Sequence, residues 1–120
     1  MTMNLLHETV AGIVASEHNP TDIVFIGSLK SGHRCTWEEF TVLADLDYSN
    51  DYGAVEIAQD LVIVFSDGQT MWRAEYDGSE WWAFSLPVVI PDESYPIRSL
   101  GGKDIMWETL AEINLEIDDE

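Results

Sequence analysis

Apolar residues recur along this chain at helical spacing, then in short runs, then at helical spacing again. Leu6, Val10, Ile13 and Val14, with Glu17 closing the series, predict an amphipathic helix over residues 3–17. His18-Asn19-Pro20 ends it, because a proline pushes the residue before it out of the α region. Residues 22–29 hold Ile23, Val24, Phe25 and Ile26, a β-branched and aromatic run that predicts a strand, broken by Ser31-Gly32. Thr36-Trp37-Glu38-Glu39 reads as a capping box, with Cys35 and Phe40 at the two positions of a hydrophobic staple. A helix over 37–47 should follow, with Phe40, Leu43 and Ala44 facing inward, and then a polar loop over 48–53.

Residues 61–65 are apolar on both faces, as a central strand requires. Asp67-Gly68 and Asp77-Gly78 are hairpin signals, with glycine supplying positive φ, so 61–65, 70–76 and 80–86 predict a three-stranded antiparallel meander. In that meander Leu61, Ile63, Phe65, Trp72, Ala74 and Trp81 should share one face, and Val62, Val64, Met71, Trp82 and Phe84 the other. Both faces are apolar, so both need cover: either three helices supply it, or one face meets a second copy or a partner. Arg73 should lie opposite Trp82 in cation–π contact, and Glu75 opposite Glu80 as an unfavourable pair. Pro87, Pro91 and Pro96 predict an extended connection over 87–100. Gly101-Gly102 then leads to a last helix near 103–115, with Met106, Leu110, Ile113 and Ile117 on one side and a frayed acidic tail at 116–120. The expectation is one α+β domain over residues 1–120: an antiparallel sheet made of the meander and one further strand, packed with about three helices, in the order α-β-α-β-β-β-α.

Composition supports a packed core: 120 residues, 46% apolar and 11% aromatic. Charge changes the picture. Twenty-three acids face five cations (Lys30, Arg34, Arg73, Arg98 and Lys103), for a net charge of −18. Such a surface repels phosphates and anionic membranes, and draws a cationic partner over long range. A single cysteine, Cys35, excludes an internal disulfide framework. No segment reads as a signal peptide or a membrane span, so the expected location is cytoplasmic.

Motifs for catalysis are sparse. His7, His18 and His33 lack metal-ligand spacing, and no phosphate loop, nucleotide-binding glycine fingerprint or nucleophile elbow occurs. His33 and Cys35 near a helix N-terminus allow a Cys–His reading, against which the staple already gives Cys35 a packing role. Asp45, Asp47 and Asp51 could take Ca²⁺, but their spacing lacks the glycine and final glutamate of an EF-hand loop. The expectation is a protein that is not an enzyme and uses no cofactor or metal.

The acids divide by what stability asks of them. Glu38, Glu39 and Asp104 suit helix N-termini, Asp67, Asp77 and Asp92 suit turns, and Asp22 precedes a strand. Asp45 and Asp47 fall at the C-terminal end of the predicted 37–47 helix, where the dipole disfavours anions, and Asp51 follows. Glu56 and Asp60 share one face ahead of the central strand. Glu108, Glu112 and Glu116 form a like-charged i, i+4, i+8 stripe, extended by Asp118 and Asp119. Residues that break local rules without compensation are where function concentrates, so these ten are the candidate partner-binding set. A generally solvated acidic surface is the plain alternative.

Glu75-Tyr76-Asp77-Gly78-Ser79-Glu80-Trp81-Trp82, preceded by Asp60-Leu61-Val62-Ile63-Val64, resembles a signature of small phage and mobile-element proteins. In size and acidity the chain is also similar to phage anti-defence inhibitors, including anti-CRISPR proteins and DNA mimics. The resemblance implies carboxylates standing in for phosphates in the basic groove of a nuclease or CRISPR effector complex, in the host cytoplasm. It carries no motif that assigns site residues. The alternative is a structural or adaptor phage protein acting through an apolar sheet face or as a homodimer.

Overall fold

A computed structural model of the chain describes residues 2–49, 55–76, 79–85, 90–91, 93–102 and 108–118, with side chains in the last helix through residue 114. The fold is α+β. A strand β1 (Thr2–Asn4) leads into helix α1 (Leu5–Ala15), a 3₁₀ turn (Pro20–Asp22), and strands β2 (Ile23–Ser28) and β3 (His33–Arg34). Helix α2 (Trp37–Leu43) and strand β4 (Asp47–Ser49) follow. The meander is β5 (Leu61–Phe65), β6 (Thr70–Tyr76) and β7 (Ser79–Ser85); β8 (Tyr95–Pro96) and helix α3 (Leu110–Asp118) complete the described elements. Six strands form one sheet in the order β7-β6-β5-β2-β3-β8, while β1 and β4 pair separately. The further strand expected beside the meander is β2, antiparallel to β5.

All three helices cover one face of the sheet. Leu5 and Ile13 from α1, Phe40 and Ala44 from α2 and its C-cap, and Leu110 from α3 join Ile26, Leu61, Ile63, Phe65, Met71 and Trp82 in the main core. The expected capping box is present: Thr36 N–H donates to Glu39 Oε1 at 2.8 Å, and Glu39 N–H to Thr36 Oγ1 at 3.1 Å. Cys35 packs against the core beside it, as a staple residue does.

The expected sharing of sheet faces is corrected between β5 and β6. The observed register pairs Val62 with Trp72, Ile63 with Met71 and Val64 with Thr70. Leu61, Ile63 and Phe65 therefore share their face with Met71, Arg73 and Trp82, and not with Trp72, Ala74 and Trp81. The turn is the cause. Gly68 N–H donates to Phe65 O at 2.8 Å, Phe65 N–H donates to Gln69 O at 2.9 Å, and Gly68 has φ 91°. This is a three-residue loop with glycine in the left-handed position, one residue longer than a two-residue turn. A slip of one residue turns a whole strand over. The β6–β7 pairing is as expected, with Arg73 opposite Trp82 and Glu75 opposite Glu80.

The first and last helices also differ from expectation. In α1 the buried residues are Leu5, Thr9 and Ile13, whereas Val10 and Val14 are 42% and 67% exposed. Thr9 tolerates burial because its hydroxyl donates to Leu5 O at 2.7 Å and accepts from Trp82 Nε1 at 2.9 Å. The last helix starts at Leu110, not near 103; residues 108 and 109 are non-helical, and 103–107 lie outside the described residues. Its cap is Thr109, whose amide donates to Glu112 Oε1 at 2.9 Å while Glu112 N–H donates to Thr109 Oγ1 at 3.3 Å. The helix continues to Asp118, past the point where a frayed tail was expected.

Candidate acidic binding surface

Helix α2 ends at Leu43, four residues short of the expected 47, so Asp45 and Asp47 do not lie on its last turn. They lie at the start of α1 instead. Leu5 N–H donates to Leu46 O at 3.0 Å and Leu6 N–H to Ala44 O at 2.9 Å, which brings the 44–47 segment against the first turn of α1. The N-cap, Asn4, accepts from His7 N–H through Oδ1 at 3.1 Å. Its Nδ2 donates to Asp45 Oδ1 at 3.2 Å and to Asp47 Oδ1 at 3.0 Å. One side-chain amide thus caps a helix and holds two carboxylates side by side. The positive end of the α1 dipole favours both anions, which removes the electrostatic fault expected of them.

The other candidate acids are pinned in the same way. Glu56 Oε1 accepts from Ser49 N–H at 3.2 Å, at the far end of β4 from Asp47. Asp60 Oδ1 accepts from Leu110 N–H at 2.7 Å, so Asp60 and Glu112 both serve the N-terminus of α3. The structure therefore brings Asp45 and Asp47 together, sets Glu56 along the same strand, and forms a second group of Asp60 and Glu112. None of these five makes an ion pair among the described residues. Glu108 is half-exposed just ahead of Thr109. Glu116 and Asp118 lie in α3 with side chains outside the described ones, and Asp51 and Asp119 fall outside the described residues. Among the described residues no three His, Cys, Asp or Glu gather as metal ligands do.

The largest feature that sequence reasoning missed is internal. Arg73 is buried, and its Nη2 donates to Glu80 Oε1 at 3.0 Å and to Tyr48 Oη at 3.1 Å, while Nη1 meets Glu8 Oε2 at 3.4 Å. Tyr48 Oη donates to Glu8. The guanidinium stands 4.9 Å from the Trp82 ring, the expected contact, and 5.5 Å from the Tyr48 ring. Burial acts to lower the Arg73 guanidinium, but Glu8, Tyr48 and Glu80 outweigh it and push it up. Burial pushes the Glu80 carboxyl up, against the pull of the Glu56 amide and Arg73. Glu80 therefore escapes its expected repulsion from Glu75 by turning to Arg73. A cross-strand diagonal from the Asp77-Gly78 hairpin register was the available signal; the approach of Glu8 and Tyr48 had none.

A second constellation has the form of a catalytic triad. His18 Nδ1 lies 2.9 Å from Ser16 Oγ and Nε2 lies 2.8 Å from Asp67 Oδ2, in an open pocket of about 410 Å³. Its surroundings are those of a helix cap. Ser16 Oγ donates to Ile13 O at 2.8 Å, and the amides of Ser16, Glu17 and His18 donate to Gly12, Val14 and Ile13 carbonyls. These amides are therefore committed and offer nothing to an oxyanion, and the nearby helix carbonyls favour positive charge. His18 stacks on Phe65 with centroids 3.9 Å apart. The Gln69 amide, with His18 beside it, holds the Asp67 carboxyl below its ordinary value. Near α2, burial pushes the Cys35 thiol up to about 12, with Glu39 adding to the effect, so the thiolate needed by a Cys–His nucleophile is suppressed at neutral pH.

Compared with protein-family models, curated proteins and solved structures, the chain finds no match. No helix among the described residues is long and apolar enough to cross a membrane.

Proposed function

We propose that this chain is an acidic binding protein that occupies the basic, nucleic-acid-binding groove of a defence nuclease or CRISPR effector complex, its carboxylates standing in for DNA phosphates. The observation that carries this reading is how the acids are held. Asp45, Asp47, Glu56, Asp60 and Glu112 take their hydrogen bonds from neutral groups, amides in each case and at Glu112 the Thr109 hydroxyl as well, which fix position without adding a countercharge. Arg73 is spent inside the fold, and Arg34 donates to the carbonyls of Pro91 and Glu93, each at 2.6 Å. The chain acts in this reading by binding, in the cytoplasm of a host cell, with no cofactor and no contact with nucleic acid or membrane.

The test is capture of host nucleic-acid enzymes on the immobilised protein, followed by competition with DNA. A basic nuclease complex should bind, lose its DNA as the protein is added, and release as salt rises. Replacing Asp45 and Asp47 together with asparagine should weaken that binding about tenfold and flatten its salt dependence. Binding that ignores both salt and these replacements sinks the reading. A structural or adaptor role through the sheet is the second reading, favoured by the half-exposed Trp72 and Trp81. It expects an oligomer whose mass rises with concentration and does not respond to salt.

A further inference from the structure

The face of the sheet away from the helices is covered unevenly. At one end Phe25, Val62 and Val64 pack together under Ile90, and the Arg34 guanidinium lies 4.8 Å from the Phe25 ring centroid. At the other end Trp72, Trp81 and Tyr76 are 39%, 43% and 77% exposed. Their arrangement follows from the β6–β7 register. Trp72 pairs with Ala83, Trp81 with Ala74 and Tyr76 with Ser79, so each ring faces a small residue across the strands. The three rings zigzag between the strands as diagonal neighbours, about 7–8 Å apart at Cα. The half-buried Ala74 and Ala83 stand between the rings.

We propose that this aromatic ladder is a docking surface for arginine side chains of the basic partner. The inference rests on the acidic-binding reading and assigns the contact to a different place from the carboxylates. Charge selects the occupant. A net charge of −18 opposes a second copy of the chain and attracts a cationic one. Planar guanidinium groups stack on aromatic faces better than ammonium groups do. The protein already uses this contact, with Arg34 over Phe25 on the same face and Arg73 over Trp82 and Tyr48 on the other side of the sheet. The acids then set the rate of encounter and its salt dependence, and the rings set how long the complex lasts.

The test titrates the whole protein with nona-arginine and with nona-lysine, following the tryptophan indole N–H signals by NMR, assigned through single Trp→Phe variants. Nona-arginine should move the Trp72 and Trp81 signals, and Trp72→Ala or Trp81→Ala should lower its affinity about tenfold with the salt slope kept. Nona-lysine should bind more weakly and leave those signals in place. If nona-arginine binds while both indoles stay still, or both peptides behave alike, the ladder is not the contact and the acidic reading survives alone. If neither peptide binds, the acidic reading fails with it. The indole shifts are read on the unaltered protein, so the result stands even where an alanine variant fails to fold. A concentration-dependent dimer that buries both indoles would overturn the choice of occupant.

Discussion

Arg73 shows how much one side chain can organise. It joins α1 through Glu8, β4 through Tyr48 and β7 through Glu80, three elements distant in sequence. Removing one partner of a buried charge set costs more than the set contributes, because the remaining charges lose their compensation. Arg73→Met should therefore destabilise the protein by about 3–5 kcal/mol at neutral pH, measured by urea unfolding. The pH dependence has a definite sign. Glu80 in the fold sits above its ordinary value of 4.5, so as pH rises the unfolded state releases this proton before the folded state does. Stability from this group falls as pH rises through that window, and without Arg73 the shift grows. The deficit of Arg73→Met against the unaltered protein should shrink as pH is lowered toward about 5, and a deficit independent of pH would mean that lost packing dominates. At this scale the sequence disclosed which acids broke local rules. It hid the partners that excuse them, because Asn4 reaches Asp45 across 41 positions and Asp47 across 43.

Elements were more legible than their faces. The strands of the meander, the capping box of α2 and the end of α1 before Pro20 all follow from spacing and turn residues. The facing of β5 did not, because a one-residue difference in the Asp67-Gly68 turn decides it. The last helix was misplaced because Gly101-Gly102 drew its start forward, although Thr109 and Glu112 hold the spacing of a capping box. The C-terminal cap of α1 offers a test at this scale. Glu17 has φ 64°, and His18 N–H donates to Ile13 O while Glu17 N–H donates to Val14 O, a Schellman arrangement with a side chain where glycine is favoured. Glu17→Gly should raise stability by about 1 kcal/mol by removing that strain and one acid. An unchanged or lower melting temperature would show that the position costs nothing as it stands.

For the whole molecule, charge and core pull in opposite directions. The helices and the main core sit on one face of the sheet, while the surface carries the excess of a −18 chain. Self-repulsion of this size is screened by salt, so the melting temperature should rise by several degrees between low salt and about 0.5 M NaCl. Calorimetry across that range checks it, and a flat profile would mean that the acids sit too far apart to repel. Fold class was readable because hydrophobic period and turn chemistry agree along most of the chain. The arrangement of the acids was not, because it depends on which helix ends the tertiary fold brings to them.

Asn4 ties three positions into a single unit of change. Its side chain serves the α1 amide of His7 and both carboxylates at once. A substitution there would leave two neighbouring anions without a shared donor and a helix without its cap. Asp45 and Asp47 would then be selected against where they stood, so drift at residue 4 should be followed by loss of acids forty positions away. In a population of diverging sequences, these three sites are expected to vary together or not at all.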